Sequence, residues 1–292
     1  MLKEIWKKRL DLVEEQLLKE LREDEALDAT LCAAMKYSLM AGGKRLRPVL
    51  LMAAADAVGG DGDSFVTSGC AIEMIHTYSL IHDDLPAMDD DDYRRGKLTN
   101  HKVYGDGMAV LAGDALLTLA FEVMLRQEGV KPEMLVQVVH EMSTAAGANG
   151  MVGGQAIDLE SEGKQIEMEL LRKMHMGKTG ALFRAAIRSG AILAGADANQ
   201  LEALTIYADK FGLAFQITDD ILDVVGNEEE LGKPVGSDEK NHKSTYVTLT
   251  SLKEAKELAR KTIDEAIDAL DDFGDEADFL RDLAAYLIAR NK

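Results

Sequence analysis

Apolar residues recur at helical spacing along nearly the whole chain, and strict alternation over strand length occurs nowhere, so the pattern predicts helices throughout. Leu2, Ile5, Trp6, Leu10, Val13, Leu17, Leu18 and Leu21 mark an amphipathic first helix over 2–26. A second is expected over 29–40 and stops at Gly42-Gly43. A third spans 48–58, with Pro48 in its first turn, and ends at the glycine-rich loop 59–63. Ser64 or Thr67 is the expected cap of a long helix through Ile75 to Leu85, where Pro86 removes a backbone donor. Further helices are expected over 107–127, 132–147, 151–159, 166–176, 179–193 and 199–225. Residues 226–242 are polar, charged and glycine-rich and read as a mobile loop, after which amphipathic helices are expected over 252–270 and 276–289. With no fixed-period repeat and no linker rich in Pro and Ser, one all-helical domain over 1–292 is the economical reading.

Composition supports helix over sheet, because Ala, Leu, Met, Glu and Lys dominate and only 4 prolines occur. A net charge of -19 argues against nucleic acid as a partner, since a phosphate backbone needs a basic face. Cys32 and Cys70 lie in apolar helical patterns and read as buried free thiols. The start of the chain carries no apolar signal core and no apolar run reads as a membrane span, so no membrane insertion and a cytoplasmic location are expected.

Two acidic clusters carry the candidate chemistry. Asp83-Asp84-Leu85-Pro86-Ala87-Met88-Asp89-Asp90-Asp91-Asp92 falls at a helix end, and Asp219-Asp220-Ile221-Leu222-Asp223 lies in another helix far downstream. Asp219 and Asp223 share one helical face. Asp83 and Asp89 do not align on an ideal helix, so their cooperation requires the break at Pro86. Carboxylates in number without clustered His or Cys suit magnesium, which keeps waters and is shared with substrate phosphates. Either run alone also reads as a solvated acidic face, and neither has the spacing of an EF-hand loop. His76 and Ser79 continue the Asp83 stripe into an apolar helix; a lone His is more often a satisfied core residue, but its alignment with the carboxylates brings a functional reading of His76 level with that one. Lys44, Arg45, Arg47, Arg94, Arg95, Lys178, Lys233 and Lys243 supply cations suited to phosphate oxygens; each motif alone also reads as surface charge or a helix cap, the plainer reading for Lys233 or Lys243 singly, but together they point to phosphate.

The run from Glu73 to Asp89, with Gly43-Lys44-Arg45-Leu46-Arg47-Pro48, Leu111-Ala112-Gly113-Asp114-Ala115-Leu116, Gly177-Lys178-Thr179-Gly180 and Phe215-Gln216-Ile217-Thr218-Asp219-Asp220, resembles the short-chain trans-isoprenyl diphosphate synthases. The likeness spans nearly the whole chain and is strongest to the bacterial farnesyl diphosphate synthases. It implies one polyprenyl synthetase domain, a helical bundle around a deep central cavity, a homodimer and Mg2+ as cofactor. It also implies condensation of isopentenyl diphosphate with dimethylallyl and geranyl diphosphate to farnesyl diphosphate. Carried over by residue, Asp83 and Asp89 hold metal with Asp84 assisting, and Asp219 holds metal from the opposite wall. Arg94, Lys178, Thr179, Gln216, Lys233 and Lys243 surround the allylic substrate. Lys44, Arg47, His76 and Arg95 bind isopentenyl diphosphate, and Tyr78, five before the first Asp, floors the cavity and limits product length. The loop over 226–242 is the expected lid. Val247 stands where Pro is common in the family, and Tyr93 where Leu is usual. A geranylgeranyl diphosphate synthase, differing mainly at the floor, and a non-catalytic prenyltransferase subunit are the competing readings. Terpene cyclases fit less well, because they have no second diphosphate for Lys44, Arg47, His76 and Arg95 to bind.

Overall fold

The computed structural model describes residues 2–23, 27–226 and 244–289. Its long helices follow the apolar periodicity. α1 (Leu2–Glu20) buries Val13 and Leu17 and ends just before Arg22, whose φ of 44° lies in the left-handed region, so it stops short of the expected 26. α2 (Ala29–Leu39) is capped by the Asp28 carboxylate, which accepts from the Leu31 N–H. α3 (Leu46–Ala57) begins two residues before Pro48; a proline is tolerated there because the N–H it lacks would have no acceptor within the helix. α4 (Val66–Asp83) has neither expected side-chain cap: a 3₁₀ turn over Gly62–Phe65 leads into it, and the Ser64 hydroxyl donates to Asp61 instead.

A two-residue hairpin follows, β1 (Tyr93–Arg94) against β2 (Lys97–Leu98), antiparallel and the only strand pair among the described residues. It is too short for an alternating pattern to announce it. Arg95 and Gly96 form its turn with φ of 54° and 75°, the positive pair that a two-residue hairpin demands. Then come α5 (Asn100–Tyr104), α6 (Asp106–Leu125), α7 (Pro132–Ala146), α8 (Met151–Ser161) and α9 (Met168–His175). α9 runs through a π-helical turn, Met176–Gly180, straight into α10 (Ala181–Leu193), where the pattern predicts two separate helices over 166–176 and 179–193. α11 (Ala198–Val225), α12 (Tyr246–Leu249), α13 (Leu252–Asp268) and α14 (Asp278–Ala289) complete the described fold.

The bundle centre is made by α4 packed along α6, and by α10 packed against α3, α7 and α11, with α13 on the other side of α11. Burying side chains such as Ile72, Met74, Leu182 and Phe211 completely stabilises this centre by roughly 1.5–3 kcal/mol each. One expectation needs correcting. By length and composition α6 is apolar enough to cross a bilayer, with a mean hydropathy of 1.8. It packs on α4, α2 and α7 as a bundle helix. Cys32 and Cys70 are buried and free.

Candidate active site

Five elements deliver the candidate side chains: the C-terminal end of α4, the first turn of α3, the β1–β2 hairpin, the π turn before α10, and the last turns of α11. Each has a local reason to do so. At the end of α4 the chain folds back at Pro86, and the Asp89 N–H donates to the Asp83 carbonyl at 2.9 Å, which brings Asp89 beside Asp83 as the proline predicts. At the start of α3, Arg45 has φ 46° and a fully buried side chain that donates to Glu73 at 2.9 Å and to the Leu39 carbonyl at 2.7 Å. Breaking such a pair leaves a buried charge, at a cost of about 3–5 kcal/mol. It therefore pins the chain segment that presents Arg47.

The π turn is held by close backbone packing. A Cβ on Gly154 of α8 would lie 2.0 Å from the Lys178 nitrogen, so only glycine lets α8 approach. Widened helical turns of this kind recur at functional sites, because the extra residue re-aims side chains. Here they are Lys178 and Thr179.

Two cavities meet between these elements. The polar one, about 470 Å³, is lined by Arg94, Arg95, Asp158, Gln216, Asp219 and Asp220 among others. The apolar one, about 410 Å³, is lined by Tyr78, His82, Met88, Met151, Val152 and Leu159, with Asp83 at its wall. Arg47, His76, Leu80, Lys178 and Thr179 line both, so the two join at that waist.

Charge is distributed unevenly around the waist. Lys178 Nζ donates to Asp158 at 2.7 Å and lies 3.7 Å from Asp83, while Gln155 donates to the other Asp83 oxygen at 2.5 Å. Burial raises the Asp83 pKa above the ordinary aspartate value; Lys178 opposes the rise and Asp89 adds to it. Burial alone would lower Lys178, but Asp83 and Asp158 outweigh it and hold the ammonium above its usual pKa. Arg47 is pushed down to about 10, by burial first, and so stays cationic at neutral pH. Its guanidinium carbon lies 4.6 Å from the centre of the Phe183 ring, and its buried Nε has no hydrogen-bond acceptor among the described residues. A buried, underused guanidinium beside a cavity suits an anion.

His76 is pushed well below 6.5, by burial and then by Arg47, Arg95, Arg94 and Arg45, so the ring is neutral in the ligand-free protein. Its imidazole NMR signals are therefore expected to keep the neutral shift as pH falls through 6.5. An inflection at the ordinary value would contradict this placement.

Some candidates sit differently from what the motifs suggest. Asp84 is 3% exposed and takes a two-pronged ion pair from Arg94, with Nε at 2.7 and 2.9 Å, so the two residues face each other before they face the cavity. Arg95 donates to the Gly42 carbonyl. Lys44 is exposed and does not line either cavity. On α11, Asp219 and Asp220 line the polar cavity and Asp220 accepts from the Tyr246 N–H at 2.7 Å, whereas Asp223 is buried at 2% exposure and is not on the cavity wall. Lys233, Lys243 and, apart from Gly226, the expected lid over 226–242 lie outside the described residues. Gln155 and Asp158 were missed by the sequence reading. Their three-residue spacing, which puts both on one face of α8, was the available signal.

Among the described residues no three His, Cys, Asp or Glu side chains converge to cage a metal. The carboxylates at the joined cavities are Asp83, which lines the apolar one, and Asp158, Glu162, Asp219 and Asp220, which line the polar one. Magnesium takes one or two carboxylates and completes its shell with water and substrate phosphate, so this donor set fits it where a closed cage would not be expected.

A family model described as polyprenyl synthetase matches residues 28–285. A farnesyl diphosphate synthase from Geobacillus stearothermophilus is 53% identical over 231 residues, 78% of each chain. Another from Micrococcus luteus is 47% identical over 283 residues, 97% of this chain and 96% of that one. The crystal structure of a geranylgeranyl pyrophosphate synthetase from Pyrococcus horikoshii superposes with a TM-score of 0.90 at 34% identity, covering 99% of this chain and 98% of that one.

Proposed function

The chain belongs to the polyprenyl synthetase family, and from that premise we propose that it is a magnesium-dependent prenyltransferase. It condenses isopentenyl diphosphate head-to-tail with dimethylallyl and then geranyl diphosphate, yielding (2E,6E)-farnesyl diphosphate and diphosphate. The observation that carries the proposal is the junction of a charged chamber with an apolar one at Arg47, His76, Lys178 and Thr179. A substrate with a polyanionic diphosphate head and a hydrocarbon tail matches that junction, and Tyr78 on the wall of the apolar chamber favours the fifteen-carbon product over a twenty-carbon one.

In this reading Asp83 and Asp89, with Asp84 assisting, and Asp219 hold magnesium, which when bound neutralises the diphosphate oxygens and favours their departure. Lys178 and Arg94 add fixed positive charge to the leaving diphosphate. The side-chain oxygens of Thr179 and Gln216 face the allylic carbon and stabilise the cation that develops as its C–O bond breaks. Arg47, Arg95, neutral His76 and Lys44 hold isopentenyl diphosphate, whose double bond then attacks that carbon. The released diphosphate takes the proton, so the protein needs no general base. Lys233 and Lys243 belong to the allylic site in the same proposal.

Incubating the purified protein with magnesium, isopentenyl diphosphate and either dimethylallyl or geranyl diphosphate is expected to give a C15 product. Tyr78→Ala under the same conditions is expected to give C20 or longer. No condensation product with either primer would overturn the proposal, while an unchanged length in the variant would remove only Tyr78 from its role.

The protein is further proposed to be one domain acting as a homodimer, with Val110 and Leu111, exposed on α6, as part of the face that a second copy covers. No membrane insertion is assigned to α6, since one of its faces packs into the bundle. No nucleic-acid partner is assigned to a chain of net charge -19. The free buried thiols suit a reducing compartment, and the cytoplasm is the assigned location.

A further inference from the structure

We infer that His82 is a positioning residue for product length, acting through Tyr78; the inference rests on the prenyltransferase reading above. His82 lies one turn after Tyr78 on α4, and the two rings meet edge to face with centroids 5.7 Å apart and planes at 78°. Both line the apolar chamber. Tyr78 makes no side-chain hydrogen bond among the described residues, so packing alone fixes its ring, and His82 is the ring against it. His82 in turn is anchored from outside α4. Its Nε2 lies 3.1 Å from the Val110 carbonyl of α6, a contact that requires the proton on Nε2. Gly113, also on α6, leaves the slot the imidazole fills, because a Cβ there would lie 2.1 Å from Nε2. α6 therefore sets His82, and His82 sets the Tyr78 ring against the growing tail. Gly113, in the Leu111-Ala112-Gly113-Asp114 motif, has its explanation in the same contact.

Product length separates this role from a merely structural one, because lost stability lowers the yield of every product together, whereas a displaced ring lengthens the tail. His82→Ala, and His82→Gln, which keeps an amide donor for the Val110 carbonyl but no ring, are assayed with dimethylallyl diphosphate and excess isopentenyl diphosphate. Both are expected to raise the ratio of C20 to C15 product over the wild type by about tenfold, the low end of what a hydrophobic pocket discriminates. Adding His82→Ala to Tyr78→Ala is expected to lengthen the product no further than Tyr78→Ala alone, as two residues acting in series require. A folded His82 variant with the wild-type product ratio, or additive lengthening in the double variant, overturns the inference and leaves the prenyltransferase reading intact. A wild type that forms no condensation product overturns that reading itself, and the inference with it.

Discussion

Asp83→Asn is expected to lower kcat by about a thousandfold, since in the proposed reaction a metal-assisted departure supplies several kcal/mol and about 4 kcal/mol corresponds to that factor. The substitution keeps the shape of the side chain and an oxygen for Gln155, which donates to Asp83 at 2.5 Å, so the loss is not one of folding. It removes the negative charge that Lys178 faces at 3.7 Å, at the wall of the apolar cavity. Asp219→Asn, at the polar cavity, is expected in the same proposal to cost a similar factor. In both variants, raising magnesium is expected to recover part of the rate, because a weakened site is filled by mass action. Steady-state turnover measured against magnesium concentration decides the matter. Near-normal turnover of both variants at limiting magnesium would end the two-walled assignment.

Gly154→Ala is the second large effect. Its methyl would stand 2.0 Å from the Lys178 nitrogen and 2.7 Å from the Gly177 carbonyl carbon, both backbone atoms that cannot swing aside. α8 and the π turn must therefore separate, which costs about 1–3 kcal/mol as overpacking does. Separation also withdraws Lys178 and Thr179 from their places, and a misplacement of about 1 Å costs on the order of 100-fold in rate. Thermal unfolding and kcat measured on the same preparation are expected to fall together. A variant with wild-type melting temperature and wild-type turnover would show that the close approach of α8 does not hold the site.

Much of the site was legible because its chemistry is carried by residue type and local spacing. The Pro86 break announced the return of Asp89 to Asp83, and the Asn199 to Val225 pattern located Asp219 on a helix that runs from 198 to 225. What stayed hidden depended on more than one element. Arg94 and Arg95 are assigned by resemblance to the two different substrates, but not to protein partners, and a hairpin turn sends one to the Asp84 carboxylate and the other to the Gly42 carbonyl. Lys44 and Arg47 read as partners in one motif, but the start of α3 turns Arg47 inward and leaves Lys44 exposed. Gln155 and Asp158 gain their partners, Asp83 and Lys178, only because α8 packs against the π turn.

The sequence by itself determined that the fold is helical, where most of the helices lie, and that two carboxylate clusters and several cations are available, because periodicity, caps and proline breaks act within a few residues. Only the tertiary structure decided which charges pair with each other and which reach a cavity. It also decided that α9 continues through a π turn into α10, and that the His82 and Tyr78 rings meet edge to face. Those outcomes depend on backbones from distant parts of the chain approaching within a side-chain length, and no pattern confined to one helix encodes that distance.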